Sequence, residues 1–524
     1  MSIQKNKIKN NQVKSKKKLI YLINKLNSKE RKIQLILFFI FLLIISSIIC
    51  YIVFIKGLKE KEIIQAKTIE SKWTEGGVLV SDTSTTGTWT FDMVFDSNGG
   101  VFIVWVDERN GTNDIYAQYI NDSGIKSWGE NGLVICNALY NQNTPKLILD
   151  GSGGIIIVWN DYRDGNLPEG GDLYIQRVNS SGVIQWIENG INIADNQYDD
   201  GLAQIIPDGE GGAFLAWIYS GFRDIYVQEI DSNGDNLWQA NGVSLGIDDG
   251  IPNNSEAVDV QLISDGSGGI IVSWYGDTSG NDDVYAQRID GNGDILWGDD
   301  GVVISNADDY QGFWTIWPTM VSDGSGGAII TWEDQRSGSN RDIYAQRVNS
   351  EGIVQWLEDG IIISNATNDQ NRPNITSDGS GGAIITWDDL RSGDFTDIYA
   401  QRVNSQGIVQ WTENGKVICN AVNDQYNPSI NSDNEGGAFI AWSDYRLDQG
   451  DYDMSTIYVQ HIDSSGNNII IENGYPIGYE TEDNQDGPRI ISNSLGETTV
   501  MWINYVYVDE WEYEIYIQKT WGYL

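Results

Sequence analysis

A phrase that returns every 54 to 60 residues limits what this chain can fold into more than any other feature. One copy runs Ser377-Asp-Gly-Ser-Gly-Gly-Ala-Ile-Ile-Thr-Trp387, then Asp389 and Arg391, Asp397-Ile-Tyr-Ala-Gln401, Gly407-Ile-Val-Gln-Trp411 and Gly415. Its first Trp occurs eight times, at Trp105, Trp159, Trp217, Trp274, Trp332, Trp387, Trp442 and Trp502. A fixed period of this size, rich in strand formers, requires supersecondary units whose sheets bury one another.

Each unit holds four short strand-like runs separated by Gly, Asn, Asp and Ser. The second run is continuously apolar, as in Gly327-Ala-Ile-Ile-Thr-Trp332, and suits a strand covered on both faces. The third alternates, as in Asp342-Ile-Tyr-Ala-Gln-Arg-Val348. The fourth carries Trp-x-x-x-Gly, with Trp73, Trp128, Trp186, Trp238, Trp297, Trp356 and Trp411, while an eighth copy has Ile470 in place of Trp. Four antiparallel strands per unit describe one blade of a β-propeller, so the expected fold class is all-β, with eight four-stranded blades. The order of the markers predicts closure. The ectodomain begins with a fourth strand, Lys72-Trp-Thr-Glu-Gly-Gly-Val-Leu-Val80, and ends with a third, so joining them completes the last blade and hides two sheet edges.

The N-terminal region reads differently. Residues 1–32 carry eleven Lys/Arg against Glu30 alone, and the 21 residues from Leu35 to Ile55 carry no charge. That length spans a bilayer as a helix. A cleaved signal peptide fits poorly, because the basic and apolar stretches are both too long and no small-residue cleavage site follows. The expected organisation is a basic cytoplasmic tail (1–34), a transmembrane helix (35–55), a linker (56–71) and a propeller ectodomain (72–524). Eleven basic residues before the helix, against Lys56, Lys59 and Lys61 after it, orient a single-pass cell-membrane protein with its propeller outside.

The formal charge is −41, and residues 1–32 contribute 11 − 1 = +10, which leaves −51 beyond them. Such a surface repels nucleic acid and anionic lipid headgroups, and it excludes nucleic acid as a partner. Cys136 and Cys419 fall at the same place in non-adjacent repeats, where another repeat has Ser364, so no disulfide is expected between them.

The segment Ala400-Gln-Arg-Val-Asn-Ser-Gln-Gly407-Ile-Val-Gln-Trp411 resembles the tryptophan-docking motif of eight-bladed quinoprotein-like propellers. It keeps the Gly-to-Trp spacing, has one extra residue between Ala and Gly, and lacks the usual Thr-Gly pair. The resemblance implies that each such Trp wedges between neighbouring blades. The whole phrase is also similar to repeats of secreted and surface-anchored prokaryotic propeller proteins, mostly of unassigned function. Both resemblances cover residues 72–524 and address fold rather than activity.

Blade connections after the second and fourth strands share one face, and these are the longer and more varied ones. Asp-x-Arg recurs there at Asp107/Arg109, Asp161/Arg163, Asp334/Arg336, Asp389/Arg391 and Asp444/Arg446, with Gln142, Gln370, Gln425 or Gln485 in the next loop. Recurrence in five blades points to framework, because a binding site is built from deviating repeats. The deviations are Asp308, Asp309, Tyr310, Phe313, Trp314 and Trp317 in blade four; Tyr219, Phe222 and Arg223 in blade three; and Trp511 in the last blade. Aromatic groups on irregular loops stack on sugar rings or anchor protein partners.

No cofactor is expected. Asp231-Ser-Asn-Gly-Asp235 and Asp290-Gly-Asn-Gly-Asp294 offer oxygens at calcium-like spacing, but turns favour the same residues. The single histidine, His461, replaces an Arg of the third strand and leaves no material for histidine catalysis or zinc. There is no adjacent Cys pair of the kind quinoprotein dehydrogenases carry. The expected function is binding or scaffolding of a protein or glycan partner at the cell surface. The alternative is a surface glycan hydrolase or lyase using paired carboxylates, and the abundance of acidic residues hides any such pair in the sequence.

Overall fold

The computed structural model describes residues 73–520, apart from 74–76, 82–89, 97, 166–170, 195–200, 202, 220–223, 246–259, 278–281, 313–317, 339, 449–453, 479–483, 494–495 and 508–510. The predicted tail, transmembrane helix and linker lie outside the described residues. Among the described residues no helix is long and apolar enough to cross a membrane.

Eight antiparallel sheets of four strands each follow one another along the chain. We number the blades one to eight by the Trp of the second strand. First strands of neighbouring blades touch all the way round, blade eight against blade one included, so they line the axis of a closed ring. The eighth blade is completed as the strand order predicts. Val78–Leu79 pairs antiparallel with Trp511–Thr520, Val78 standing opposite Ile517, and the Val80 amide donates to Ile515 O at 2.9 Å.

Second strands are the core of each blade. Ala383–Asp389 is buried at all seven positions, and the eight second-strand Trp side chains are at most 1% exposed. Burying an indole removes roughly 200 Å² from water, about 5 kcal/mol of transfer free energy each. Each of these Trp rings also fixes the turn before its own outer strand. Gly415 has φ +89°, and a Cβ there would come within 2.5 Å of Trp387.

The turn face locks each blade to the next, in the role implied for the docking Trp. Trp356 donates Nε1–H to Ser405 O of the next blade at 3.2 Å and lies on Gly407, where a Cβ would sit 2.8 Å from the ring. Trp73, Trp128, Trp186, Trp238, Trp297 and Trp411 donate in the same way to Asp122, Ser180, Ser232, Gly291, Ser350 and Ser464. A third-strand arginine adds a second latch. Arg347 pairs with Asp323 of its own blade at 2.8 Å and donates to Ser405 O of the next at 3.0 Å. Arg177, Arg288 and Arg402 do likewise, and His461 meets Asp433 at 2.9 Å.

Candidate functional site

The recurrent Asp-x-Arg pairs form a clamp within the framework. Trp387 donates Nε1–H to Asp389 Oδ2 at 2.7 Å, and Arg391 grips both oxygens of the same carboxylate at 2.8 and 2.5 Å. The guanidinium stacks 3.7 Å over Tyr399, donates to Asn414 O, and reaches Ser364 on the preceding blade's outer strand. The same arrangement recurs around Asp107, Asp161, Asp334 and Asp444. Cys136 and Cys419 occupy the Ser364 place and accept from Arg163 and Arg446. Both are free thiols whose pKa burial pushes up to about 12. Gln142, Gln370 and Gln425 donate their side-chain amides to carbonyls of their own loops. All of these groups hold the fold.

The structure departs from the framework on the other side of the same strands. Trp332 and Asp334 face the preceding blade, and the residue between them faces the following one, against its first strand. That intermediate position is apolar in Val106, Ile218 and Ile503. It is polar in blade two, as Asn160, and in four consecutive blades, as Tyr275, Glu333, Asp388 and Ser443. Tyr275 is 7% exposed, and Glu333 and Asp388 are 1% exposed.

The first strands of blades six, seven and eight, opposite Glu333, Asp388 and Ser443, start with a bulge, as does that of blade two, opposite Val106. The left-handed residue of the bulge is Arg372, Asn427, Gly487 and Thr144 in turn, with φ between 50° and 62°. Asn and Gly suit that conformation, whereas Thr and Arg are strained in it. In blade six the strain places Arg372 between two acids. Its backbone amide donates to Glu333 Oε1 at 2.6 Å, and its Nη1 donates to Asp388 Oδ2 at 2.7 Å. Arg341 Nε stands 3.9 Å from Glu333 Oε2, and the Arg372 guanidinium lies 5.9 Å from the Tyr426 ring. The network continues as Asn427 and Ser443 both donate to Asp486 Oδ1, at 3.1 and 2.6 Å.

The electrostatics of this rim are unusual for so acidic a chain. Burial pushes the Glu333 carboxyl up to about 7 against the pull of the Arg372 amide and Arg341. Burial likewise pushes Asp388 up to about 7, opposed by Arg372 and assisted by Glu333. Tyr275 is raised well above its ordinary value by burial and by Glu333. Tyr275 Oη, Glu333 Oε2 and Asp388 Oδ1 are buried without a hydrogen-bond partner, although buried polar atoms are normally satisfied. The Arg372 side chain is 47% exposed. A half-exposed guanidinium backed by two carboxyls that are only about half ionised near neutrality can receive hydroxyl or carboxylate oxygens.

Of the residues singled out in the sequence, Asp308, Asp309 and Tyr310 are exposed, on the loop that leads into the first strand of blade five. That loop is tied at both sides: Gln335 N donates to Tyr310 O, and Gln311 N donates to Asp282 O. Gly312 lies against Tyr275, so the loop adjoins the polar rim. Phe313, Trp314 and Trp317 lie outside the described residues, as do Phe222 and Arg223. Trp511 begins the strand that pairs with Val78–Leu79. Tyr219 is 7% exposed, edge-on to Tyr226 at 5.6 Å. Asp231 and Asp290 accept from the amides of their own turns, and no three metal-ligating side chains converge among the described residues.

No family model matches the chain, and no curated protein matches it. Among solved structures it is similar to a polysaccharide lyase, an ulvan lyase, at 12% identity and TM-score 0.47, covering 86% of this chain and 96% of that one. It is also similar to a protein of unknown function from Dyadobacter fermentans, at 9% identity and TM-score 0.38, covering 74% and 97%. An α-L-arabinanase from Penicillium chrysogenum aligns at 10% identity and TM-score 0.32, covering 86% and 98%. None of these three is a quinoprotein-like propeller, and at such values none assigns an activity or substrate to this chain.

Proposed function

We propose that this chain is a membrane-tethered, extracytoplasmic propeller that binds a glycan or protein partner at the rim of blades four to seven, around Arg372. One observation carries this reading. In a ring whose other polar groups latch blades together, Arg372 is held strained between Glu333 and Asp388 with its guanidinium half exposed. The Tyr310 loop adjoins the same rim. The uncharged stretch 35–55 and its basic flank supply the tether.

The test is binding of the full chain to glycan arrays and surface extracts, with turnover measured alongside. Arg372→Ala is expected to weaken binding by roughly tenfold or more, as loss of an interfacial arginine anchor does. Unchanged binding would move the site elsewhere on the ring.

A second reading, glycan cleavage by paired carboxylates, draws on Glu333 and Asp388 being shifted into the range of a general acid. Their burial beneath Arg372 makes binding the better-supported role. Turnover abolished by Glu333→Gln or Asp388→Asn would reverse that order.

A further inference from the structure

The latch from blade eight to blade one differs from the others. Lys519 takes the place that Arg177, Arg288, Arg347 and Arg402 hold elsewhere. Asp122 stands where the receiving turns otherwise carry Ser180, Ser232, Gly291, Ser350, Ser405 or Ser464. The Lys519 side chain is 0% exposed. Its Nζ lies 2.6 Å from Asp122 Oδ1, 2.8 Å from Glu497 Oε2 and 2.7 Å from Gly99 O, with the Phe95 ring 5.6 Å away. A charge latch alone would be served by arginine, which four of the other interfaces use (Tyr119, Glu229 and His461 stand at the remaining three) and which cannot be acylated in this way. At the ring-closing interface the chain instead presents a primary amine, a carboxyl in contact with it and a second carboxyl on the same nitrogen.

We propose that Lys519 and Asp122 condense to an intramolecular isopeptide bond, with Glu497 carrying the proton. Glu497 accepts one proton from the Lys519 ammonium and passes it to an Asp122 carboxylate oxygen. The freed amine lone pair attacks Asp122 Cγ and forms the Nζ–Cγ bond. As the tetrahedral adduct collapses, its Cγ–O bond breaks, and a second proton moves from nitrogen through Glu497 to the departing oxygen, which leaves as water. The amide keeps one N–H, Glu497 returns to its starting state, and no oxidant or co-reactant is needed. Holding amine and carboxyl in contact within a folded site supplies the effective concentration that the free groups lack. The Asp122 side chain is 42% exposed and opens a route to solvent for the water.

Intact-mass spectrometry of the denatured full chain, with peptide mapping, tests this. The expected result is a mass lower by one water than the sequence requires, with a branched peptide joining the Asp122 and Lys519 segments. Lys519→Arg restores the latch used by other blades, so it is expected to fold and to show the full sequence mass. Glu497→Gln is expected to lower the cross-linked fraction at least tenfold while leaving Lys519 and Asp122 in place. A native chain at full sequence mass overturns the proposal, as does water loss at any other site with an unbranched Lys519 peptide. A Glu497→Gln chain that is still fully cross-linked overturns the role given to Glu497.

Discussion

Glu333 and Asp334 are neighbours on one strand, yet they belong to opposite sides of blade five, and the two sides follow different rules. On the side facing blade four, Asp334 is fully buried and fully used, by Trp332 and by Arg336. On the side facing blade six, Glu333 is just as buried, but only one of its oxygens accepts a hydrogen bond. The first arrangement recurs in five blades and maintains the fold. The second occurs where the repeat has drifted, and it keeps unspent polar capacity next to a half-exposed arginine. A buried carboxylate is therefore no sign of function in itself, and its unmet bonding is the better indicator.

The largest test of this contrast concerns closure, which belongs to the framework side. Deleting residues 72–82 removes the outer strand of blade eight together with Trp73. It is expected to cost about 3–5 kcal/mol, the scale of a lost buried Trp, in denaturant unfolding. An unchanged midpoint would show that the ring does not depend on the strand.

Next comes Asp334→Ala, which leaves the Arg336 guanidinium and the Trp332 N–H without their partner. A loss of about 3–5 kcal/mol is expected, against under about 1 kcal/mol for Glu333→Gln. Equal losses would erase the distinction between the two sides.

A smaller effect, per unit of pH, comes from titration. The folded-state pKa of Glu333 and Asp388, about 7 for each, lies above the unfolded carboxylate value near 4. Their contribution to stability is thus fully present below about 4 and is lost as pH rises through about 7. The slope is at most about 1.4 kcal/mol per pH unit for each group. Melting curves between pH 5 and 8 should show the decline, and Glu333→Gln with Asp388→Asn should flatten it.

The smallest effect is Cys419→Ser, expected to change stability by under about 1 kcal/mol, because Ser364 and Ser305 already receive the same clamp arginine in other blades. Native Cys136 and Cys419 should resist thiol reagents until the chain unfolds, since burial holds both thiols up to about 12.

The fold was legible because period, Gly turns and strand order all express the same geometry. The spare strand at Val78–Leu79 followed from marker order alone, and the docking role of Trp356 followed from resemblance and spacing. The rim was not legible. The sequence draws the eye to aromatic breaks such as Tyr310 and to the many Asp and Glu, among which Glu333 and Asp388 look ordinary. The available signal was the residue between Trp and Asp, which is apolar in some repeats and acidic in two. Its meaning depended on knowing that this position faces the next blade's first strand. The left-handed backbone of Arg372 has no sequence marker beyond the following Pro373, which Thr144 and Asn427 share.

The way the ring closes also sets how it bears load. A pull entering the propeller at residue 73 reaches the short outer strand Val78–Leu79 first, and that strand sits at the edge of its sheet. Its few backbone bonds, with the Trp73 indole seated on Gly124, are what tension would have to undo before any other blade felt it. The Lys519–Asp122 contact lies just behind this seam, so one amide there would confine unzipping to the outermost strand and leave the remaining disc intact.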